Sequence, residues 1–189
     1  GLDEKSTIEA QRFYRHFVKG ELHATNAKTA EMCKLVENSS RDVQIAFANE
    51  LSMICDKVKI DVWELIHLAN KHPRVNILQP GTGVGGHCIA VDPWFIVSEF
   101  KKEAVIIRNA REINNYKTQW VIEKIKSTAL QFELDNSRKP TIALMGLAFK
   151  PNIDDLRESP AVLVADTLLA DGKFDLLLVE PNLEKNLKY

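Results

Sequence analysis

A cysteine at the end of a glycine-rich stretch is the clearest candidate for chemistry in this sequence. Residues 81–86 contain four glycines and lead directly into His87 and Cys88. Glycine tolerates positive φ and lets a ligand or another backbone approach closely, so a thiol at the end of such a loop is well placed for attack on a substrate. Free cysteines are also commonly buried and inert. The spacing alone leaves these two interpretations even, and His87 assists the thiol only if its ring faces the sulfur.

The same stretch matches a nucleotide-binding motif. Residues 81–86 satisfy G-x-G-x-x-G, which is meaningful where a strand precedes it and a helix follows it. Here residues 76–80 form a poor strand that ends in Pro80, and the motif leads into His87 rather than into a helix. We interpret the match as coincidental and expect no dinucleotide at this loop.

A second candidate group lies on one long predicted helix. Lys34, Asn38 and Arg41 share one stripe of this helix at about 100° per residue. A lysine, an amide and a guanidinium in line suit the binding of anions and hydroxyl groups, although the solvated face of an amphipathic helix accounts for the pattern more simply. The opposite side carries an apolar stripe of Met32, Val36, Val43, Phe47, Leu51, Ile54 and Val58.

Cationic side chains also lie at the ends of predicted elements. His72 and Arg74 follow the end of a helix, where positive charge is favourable to the helix dipole. Lys150 follows a predicted strand, and because ligands of open α/β sheets bind at the carboxyl ends of strands, Lys150 is a candidate for phosphate contact. Arg157 precedes a helix and either contacts a phosphate or pairs with a neighbouring aspartate.

The elements that must position these residues are mostly helices. Apolar periodicity predicts helices over about residues 6–19, 28–58, 61–68 and 104–132, with a short helix beginning at residue 92 or 93. Asp61, with Glu64 three positions later, is predicted to cap the third of them in sequence order. Residues 73–86 are predicted to form a loop between the helices.

The character of the sequence changes near residues 136–140. A buried strand is predicted over residues 141–146, a helix over 159–170 and a second buried strand over 175–179, which together make one βαβ unit. We therefore predict a mainly α domain over residues 1–135, followed over residues 136–189 by the start of a Rossmann-like α/β domain. Because a sheet of two parallel strands has two open edges, we expect the chain to be part of a longer protein.

Composition excludes several classes of protein. The 189 residues carry a formal net charge of −1 without a basic block, which argues against a nucleic-acid-binding protein. The sequence has no run of eighteen or more apolar residues, so no membrane-spanning helix is predicted. Cys33, Cys55 and Cys88 cannot all pair and have no zinc-site spacing, so we expect free thiols, no metal site and a reducing, cytoplasmic compartment.

Taken together, several of these segments resemble the UDP-glucose/GDP-mannose dehydrogenase family. The matching stretches are residues 30–35 with 37–38, 47–50, 72–76, 83–94, 146–150 and 154–160. The resemblance implies an N-terminal NAD-binding domain, a central helical domain that forms a homodimer through its long helices, and a C-terminal domain that binds UDP. On this basis the chain corresponds to the central domain and the beginning of the third, and we expect the NAD-binding domain to be absent from it.

The resemblance implies a reaction and a set of catalytic residues. The family oxidises the C6 alcohol of a UDP-linked sugar to a carboxylate in two NAD-dependent hydride transfers. Cys88 matches the nucleophile, which forms a thiohemiacetal and then a thioester that water hydrolyses. Lys34 matches a lysine that handles protons and stabilises the oxyanion, and Asn38 matches its oxyanion partner. Asp92 matches the acid near the attacking water.

The resemblance also implies which residues contact the ligands. The substrate-binding positions are Arg41, His72, Arg74, Gly85, Phe149 and Lys150. Among them, His72 and Arg74 are expected to reach across the dimer, and Phe149 and Lys150 to contact UDP. Arg157 is expected to contact the cofactor NAD.

Residues 89–95, with His87, resemble the branch of the family that acts on UDP-N-acetylmannosamine. Thr82 stands where that branch usually has proline, which leaves room for another UDP-sugar such as UDP-N-acetylglucosamine or UDP-glucose. Without an NAD-binding domain, the isolated chain is expected to be inactive. Two alternatives remain: a non-catalytic dimerisation module, and a nucleotide-binding regulator for which Cys88 is dispensable.

Overall fold

The computed structural model describes residues 1–183, and within that range the chain forms six helices and two strands. In chain order these are α1 (Glu4–Tyr14), α2 (Ala27–Val58), α3 (Val62–Ala69), α4 (Asp92–Glu99), α5 (Val105–Asn136), β1 (Thr141–Met145), α6 (Pro160–Asp171) and β2 (Asp175–Val179). The predicted fold class, a mainly helical part followed by a βαβ unit, is confirmed. Residues 184–189, at the end of the predicted second domain, lie outside the described residues.

Side chains at the helix starts fix where two of the helices begin. Asn26 Oδ1 accepts the backbone N–H of Thr29 at 2.8 Å, and Asp61 Oδ1 accepts that of Trp63 at 2.8 Å. The prediction that Asp61 caps α3 is therefore confirmed. Helix α1 ends at Tyr14, earlier than predicted, and residues 15–17 form tight turns in which His16 N–H and Phe17 N–H donate to the carbonyls three positions earlier.

The two long helices, α2 and α5, form the centre of the helical part. Hydrogen bonds join their facing sides in three pairs that advance together along both helices: Asp42 with Arg111, Asn49 with Asn114, and Ser52 with Lys117. The helices therefore run side by side in the same direction.

The buried face of α2 is not its apolar stripe. Phe47, Ile54 and Val58 are 53%, 50% and 56% exposed, whereas Asp42 and Asn49 are buried. An amphipathic helix ordinarily turns its apolar stripe to the core. Here the facing side of α5 is polar, so small and hydrogen-bonding side chains of α2 fill the interface instead. Four residues of the apolar stripe, Val36, Phe47, Ile54 and Val58, are left exposed by the part of the chain that the structure describes.

The βαβ unit forms as predicted, with β1 and β2 parallel and in register from Thr141–Asp175 to Met145–Val179. A cluster of Ile122, Val164 and Leu168 covers one face of this sheet. The prediction that both strands are buried is wrong, since Met145 is 76% and Leu177 57% exposed. The helices α5 and α6 pack on one face only, and nothing within residues 1–183 covers the other.

Helix α4 packs between the beginnings of the two long helices. Its side chains Ile96 and Val97 form a small core with Ala104, against which Met32 and Leu35 of α2 pack. This packing brings the first residue of α4, Asp92, alongside α2. Among the described residues, no helix combines the length and the apolar character that a membrane crossing needs.

Candidate active site

The glycine-rich loop is anchored at both ends by hydrogen bonds to other elements. Gly81 N–H donates to Asn49 Oδ1 of α2 at 2.8 Å, and Thr118 Oγ1 of α5 donates to the carbonyl of Thr82 at 2.7 Å. At the other end, Gly86 N–H donates to the carbonyl of Arg157 at 3.1 Å. The loop is thus held between the long helices and the segment that leads into α6.

Close backbone approach explains two of the glycines. At Gly83, φ is +142°, and an added Cβ would lie 2.4 Å from Thr118 Oγ1. At Gly85, an added Cβ would lie 2.5 Å from the carbonyl oxygen of Glu158. Both positions therefore exclude a side chain. The match to the dinucleotide motif does not follow a strand or open a helix, as predicted, because the preceding residues and the turn at Cys88 are irregular.

Cys88 is exposed and lies in a turn immediately before α4. Its carbonyl accepts the backbone N–H groups of Val91 and Asp92 at 3.1 and 2.8 Å. All three cysteines are free thiols, and Cys33 is exposed while Cys55 is buried. Between the two interpretations left even by the sequence, the exposed position of Cys88 favours a reactive thiol over an inert core residue.

The structure joins three of the predicted catalytic residues into one chain. Lys34 Nζ donates to Asn38 Oδ1 at 3.4 Å, and Asn38 Nδ2 donates to Asp92 Oδ2. Asp92 N–H in turn donates to the carbonyl of Cys88. The polar stripe of α2 and the turn that carries the thiol are therefore next to each other, which sequence spacing alone did not establish.

Arg157 is paired with an aspartate, one of the two roles predicted for it. Its Nε lies 3.0 Å from both carboxylate oxygens of Asp155, and its Nη2 lies 2.6 Å from Oδ2. Hydrogen bonds from Arg157 lower the pKa of Asp155 to about 2. The same contacts raise the pKa of Arg157, with a smaller contribution from the nearby Cys88. The guanidinium of Arg157 is exposed, and its backbone carbonyl holds Gly86, two residues before Cys88.

A cleft of about 690 Å³ lies beside this turn, between α2, the glycine loop and the segment after β1. Four of the six predicted substrate-binding residues line it: Arg41, Gly85, Phe149 and Lys150. Ile89, the neighbour of Cys88, also lines the cleft. The cleft has the size of a small-molecule site, and it places cationic side chains and an aromatic ring together beside the thiol turn.

The other two predicted substrate-binding residues lie elsewhere. His72 and Arg74 are exposed, are not among the residues that line the cleft, and contact each other through a hydrogen bond of 3.3 Å from Arg74 N–H to His72 Nδ1. The structure therefore does not bring them to the site within one copy of the described chain. Their expected role across a dimer stays a prediction.

Sequence reasoning missed several residues that shape the site. Asn70 accepts the N–H of Ile77 at 2.7 Å and donates to its carbonyl at 2.9 Å, which closes the loop at one wall of the cleft. Asn49 and Asn114 join α2, α5 and the glycine loop. The only signal for Asn114 was an unusual run of Asn and Arg in α5. Asn49 lies in residues 47–50, which match the family, but no role was predicted for it, and no local pattern distinguished Asn70.

A metal-binding arrangement of three or more His, Cys, Asp or Glu side chains is not found within residues 1–183. In that part of the chain, the functional groups beside the cationic cleft are a thiol, an amide, a lysine amine and a carboxylate. This set suits covalent catalysis on a bound anion.

Comparison with known proteins identifies the family. Residues 28–116 match the central domain of the UDP-glucose/GDP-mannose dehydrogenase family, and residues 143–189 match its UDP-binding domain. A UDP-N-acetyl-D-mannosamine dehydrogenase of Campylobacter jejuni is 57% identical over 98% of this chain and 44% of its own length. An NDP-N-acetyl-D-galactosaminuronic acid dehydrogenase of Ralstonia nicotianae is 55% identical over 97% of this chain and 42% of its own length.

A solved structure agrees with the family match and with the relatives found by sequence. A UDP-N-acetyl-mannosamine dehydrogenase from Staphylococcus aureus superposes with a TM-score of 0.85 at 43% identity, covering 98% of this chain and 43% of that one. The chain spans less than half the length of the relatives it matches. By sequence and by fold, the chain belongs to the UDP-glucose/GDP-mannose dehydrogenase family.

Proposed function

We propose that this chain supplies the nucleophile and part of the sugar-nucleotide site of an NAD-dependent UDP-sugar 6-dehydrogenase. The observation that carries the proposal is the chain of hydrogen bonds from Lys34 through Asn38 to Asp92, which ends at the turn bearing the exposed Cys88. Membership of the family supports the same reaction class. We also propose that the chain is part of a longer protein.

The proposed reaction converts the C6 alcohol of the sugar into a carboxylate. The alcohol first loses a hydride from C6 and a proton from its oxygen to give an aldehyde, to which the Cys88 thiolate adds. The thiohemiacetal then loses a second hydride from C6 and the proton of its hydroxyl group to become a thioester. Water then breaks the C–S bond, which releases the carboxylate and restores the thiol. A thiol suits both the addition to the aldehyde and the hydrolysis of the thioester, because a thiolate attacks readily and leaves readily.

Three neighbouring side chains have distinct roles in this proposal. Lys34 and Asn38 lie on one stripe of α2 beside the thiol turn, where they stabilise the negative oxygen of the thiohemiacetal. Asp92 holds the Asn38 amide in place and accepts a proton from the attacking water. The Lys34–Asn38 contact fixes the direction of the amide, since Oδ1 accepts from the lysine and Nδ2 therefore faces Asp92.

The cleft is suited to the UDP part of the substrate. Arg41 and Lys150 place two cations on its walls, and Phe149 offers an aromatic face. A diphosphate needs charge-assisted hydrogen bonds, and a base or sugar packs well on an aromatic ring. Gly85 forms part of the wall, and without a side chain its backbone packs against the carbonyl of Glu158.

NAD, when bound, supplies the acceptor for the two hydrides. Of the residues in this chain, we expect Arg157 to contact it. The fit is supported by the exposed guanidinium, of which Asp155 engages Nε and Nη2, while Nη1 has no partner among residues 1–183. The edge of the guanidinium that carries Nη1 suits a phosphate. The isolated chain is expected not to reduce NAD by itself.

UDP-N-acetyl-D-mannosamine is the substrate that we propose first. The C. jejuni relative carries that name, and residues 89–95 resemble the same branch. The R. nicotianae relative, which has N-acetyl-D-galactosaminuronic acid in its name, supports a wider class of N-acetylated substrates. UDP-N-acetylglucosamine and UDP-glucose are the alternatives that follow from Thr82 in the glycine loop.

A homodimer through the long helices is part of the proposal. The uncovered stripe of α2, which includes Val36, Phe47, Ile54 and Val58, is unusual for the surface of a monomer and supports an apolar interface. In such a dimer, His72 and Arg74 of one protomer would reach the cleft of its partner. The same stripe favours the second candidate function, a dimerisation module without chemistry.

One assay separates the two candidates. The full-length protein that contains this chain is incubated with NAD and, in turn, with UDP-N-acetylmannosamine, UDP-N-acetylglucosamine and UDP-glucose. We expect two NADH per sugar oxidised, with the highest kcat/KM for UDP-N-acetylmannosamine. A dimer that produces no NADH from any of the three would favour the dimerisation module and contradict the dehydrogenase.

A further inference from the structure

The loop that carries Cys88 begins at a hydrogen bond from a fully buried side chain. Asn49 has no exposed surface, and its Oδ1 accepts the N–H of Gly81 at 2.8 Å. Its Nδ2 donates to Asn114 Oδ1 at 2.9 Å. Because both polar ends of the amide are used inside the protein, a change at Asn49 cannot be compensated by solvent.

The direction of the Asn49 amide is dictated by the groups behind it. Asn114 Nδ2 donates to the carbonyl of Asp42 at 3.1 Å and to its carboxylate Oδ1 at 2.8 Å, so Asn114 Oδ1 must face Asn49. Asp42 is itself held by Arg111 Nη1 at 2.7 Å, with 1% and 3% of the two side chains exposed. A buried ion pair thus orients two amides in series, and the last of them holds the loop.

A second bond from the same helix pair fixes the next residue of the loop. Thr118, one turn after Asn114 on α5, donates through Oγ1 to the carbonyl of Thr82 at 2.7 Å. Gly83 packs so closely on this threonine that a Cβ would lie 2.4 Å from Oγ1. Three consecutive loop residues therefore take their positions from the α2–α5 interface.

We propose that Asn49 is a positioning residue for the dehydrogenase reaction, acting on Cys88 through the glycine loop. The inference rests on the proposed function above. Helix α2 carries Lys34 and Asn38 outward beside the thiol and Asn49 inward beneath the loop. One rigid helix therefore sets both the oxyanion groups and the start of the segment that bears the nucleophile, and their separation is fixed by the buried network.

The test compares Asn49→Ala with a core variant that does not touch the loop. Ile122→Val removes one buried methylene from the cluster between α5 and α6 and serves as the control for lost packing. In the full-length protein, we expect Asn49→Ala to lower kcat by about 10- to 100-fold, because small misplacements of a reacting group are costly. We expect KM for the UDP-sugar to change less than about threefold, since the cationic and aromatic side chains of the cleft, Arg41, Phe149 and Lys150, do not lie on this loop.

A second readout does not depend on activity. Hydrogen exchange of residues 81–86 is measured in both variants, and we expect faster exchange in Asn49→Ala and unchanged exchange in Ile122→Val. Asn49→Asp keeps an acceptor for the Gly81 N–H, so we expect it to retain loop protection and more of kcat than Asn49→Ala. If Asn49→Ala does not fold, protection of residues 81–86 in Asn49→Asp decides the matter.

The inference is overturned if Asn49→Ala loses no more kcat than Ile122→Val, or if residues 81–86 keep their protection in Asn49→Ala. It is equally overturned if a folded Asn49→Asp exchanges this segment as freely as an unfolded control peptide. An inactive wild-type protein with normal loop protection would instead contradict the proposed function alone, so the two failures are distinguishable.

Discussion

Asn38 donates a hydrogen bond through Nδ2 to Oδ2 of Asp92, across 54 positions of sequence. This contact joins the first half of α2 to the first residue of α4, whose preceding turn carries Cys88. The proposed oxyanion groups and the proposed nucleophile are therefore positioned by one interhelical contact.

Replacing Asp92 with asparagine tests its role toward the attacking water. Asp92→Asn retains an oxygen that accepts from Asn38 but cannot take up a proton. Loss of a general base typically costs about 10²- to 10⁴-fold in rate, so we expect kcat to fall by that amount and a thioester on Cys88 to accumulate. Intact-mass spectrometry of the full-length enzyme during turnover detects the adduct. Normal kcat without an adduct would rule out this role.

Removing the charge of Lys150 tests the UDP site. Because a hydrogen bond to a charged group contributes about 1.5–3 kcal/mol, we expect Lys150→Met to weaken UDP binding by about 10- to 100-fold. The matched control is Lys139→Met, since Lys139 precedes β1, at the opposite end of the strand, and pairs with Asp175. Calorimetric titration with UDP gives both values. Equal affinity of the two variants would argue against a UDP site at Lys150.

A charge in the exposed stripe of α2 tests the proposed dimer. Ile54 is 50% exposed in the single chain, and a glutamate there would be buried without a partner in an apolar interface. We expect Ile54→Glu to shift the protein from dimer to monomer in sedimentation at micromolar concentration. Leu169→Glu, at a leucine of α6 that is 53% exposed, is the control and should stay dimeric. A dimeric Ile54→Glu variant would place the interface elsewhere.

The hydrogen bonds that Glu180 accepts predict how the stability of the βαβ unit changes at low pH. The backbone N–H groups of Ala148 and Leu147 donate to its Oε2 at 2.9 and 2.8 Å and lower its pKa from 4.5 to about 2. A lowered carboxyl pKa means that the stabilisation is complete above pH 4.5 and is lost as the pH falls toward 2. We expect Glu180→Gln to lower the melting temperature at pH 6 and to flatten its decline over this range. Parallel melting curves of variant and wild type would contradict the assignment.

Local sequence signals predicted the elements well and the contacts between them poorly. The cap at Asp61 and the order of the βαβ unit follow from residues within a few positions of each other. The hydrogen bond between Asn49 and Asn114 spans 65 positions, and no local pattern encodes it. The grouping of Lys34, Asn38, Asp92 and Cys88 was expected only from the family resemblance.

Two departures from the usual burial patterns, one in α2 and one in the strands, share a physical cause. Phe47 and Val58 made α2 appear amphipathic in the usual sense, but burial depends on what the partner helix presents, and α5 presents Arg111 and Asn114. Likewise the apolar run of β2 predicted a strand covered on both faces, whereas helices cover one. Periodicity identifies an apolar face, but it does not say which surface covers that face.

The proposed function is tested most directly by measuring whether Cys88 forms a covalent bond with the substrate. The full-length enzyme is mixed with the C6 aldehyde of the UDP-sugar and excess NAD, and the protein is quenched and weighed by mass spectrometry. We predict a substrate adduct on Cys88 in the wild type, and neither adduct nor NADH with Cys88→Ala. Cys33→Ala, which removes the other exposed thiol, should behave as wild type. Oxidation of the aldehyde at an undiminished rate by Cys88→Ala would contradict the account.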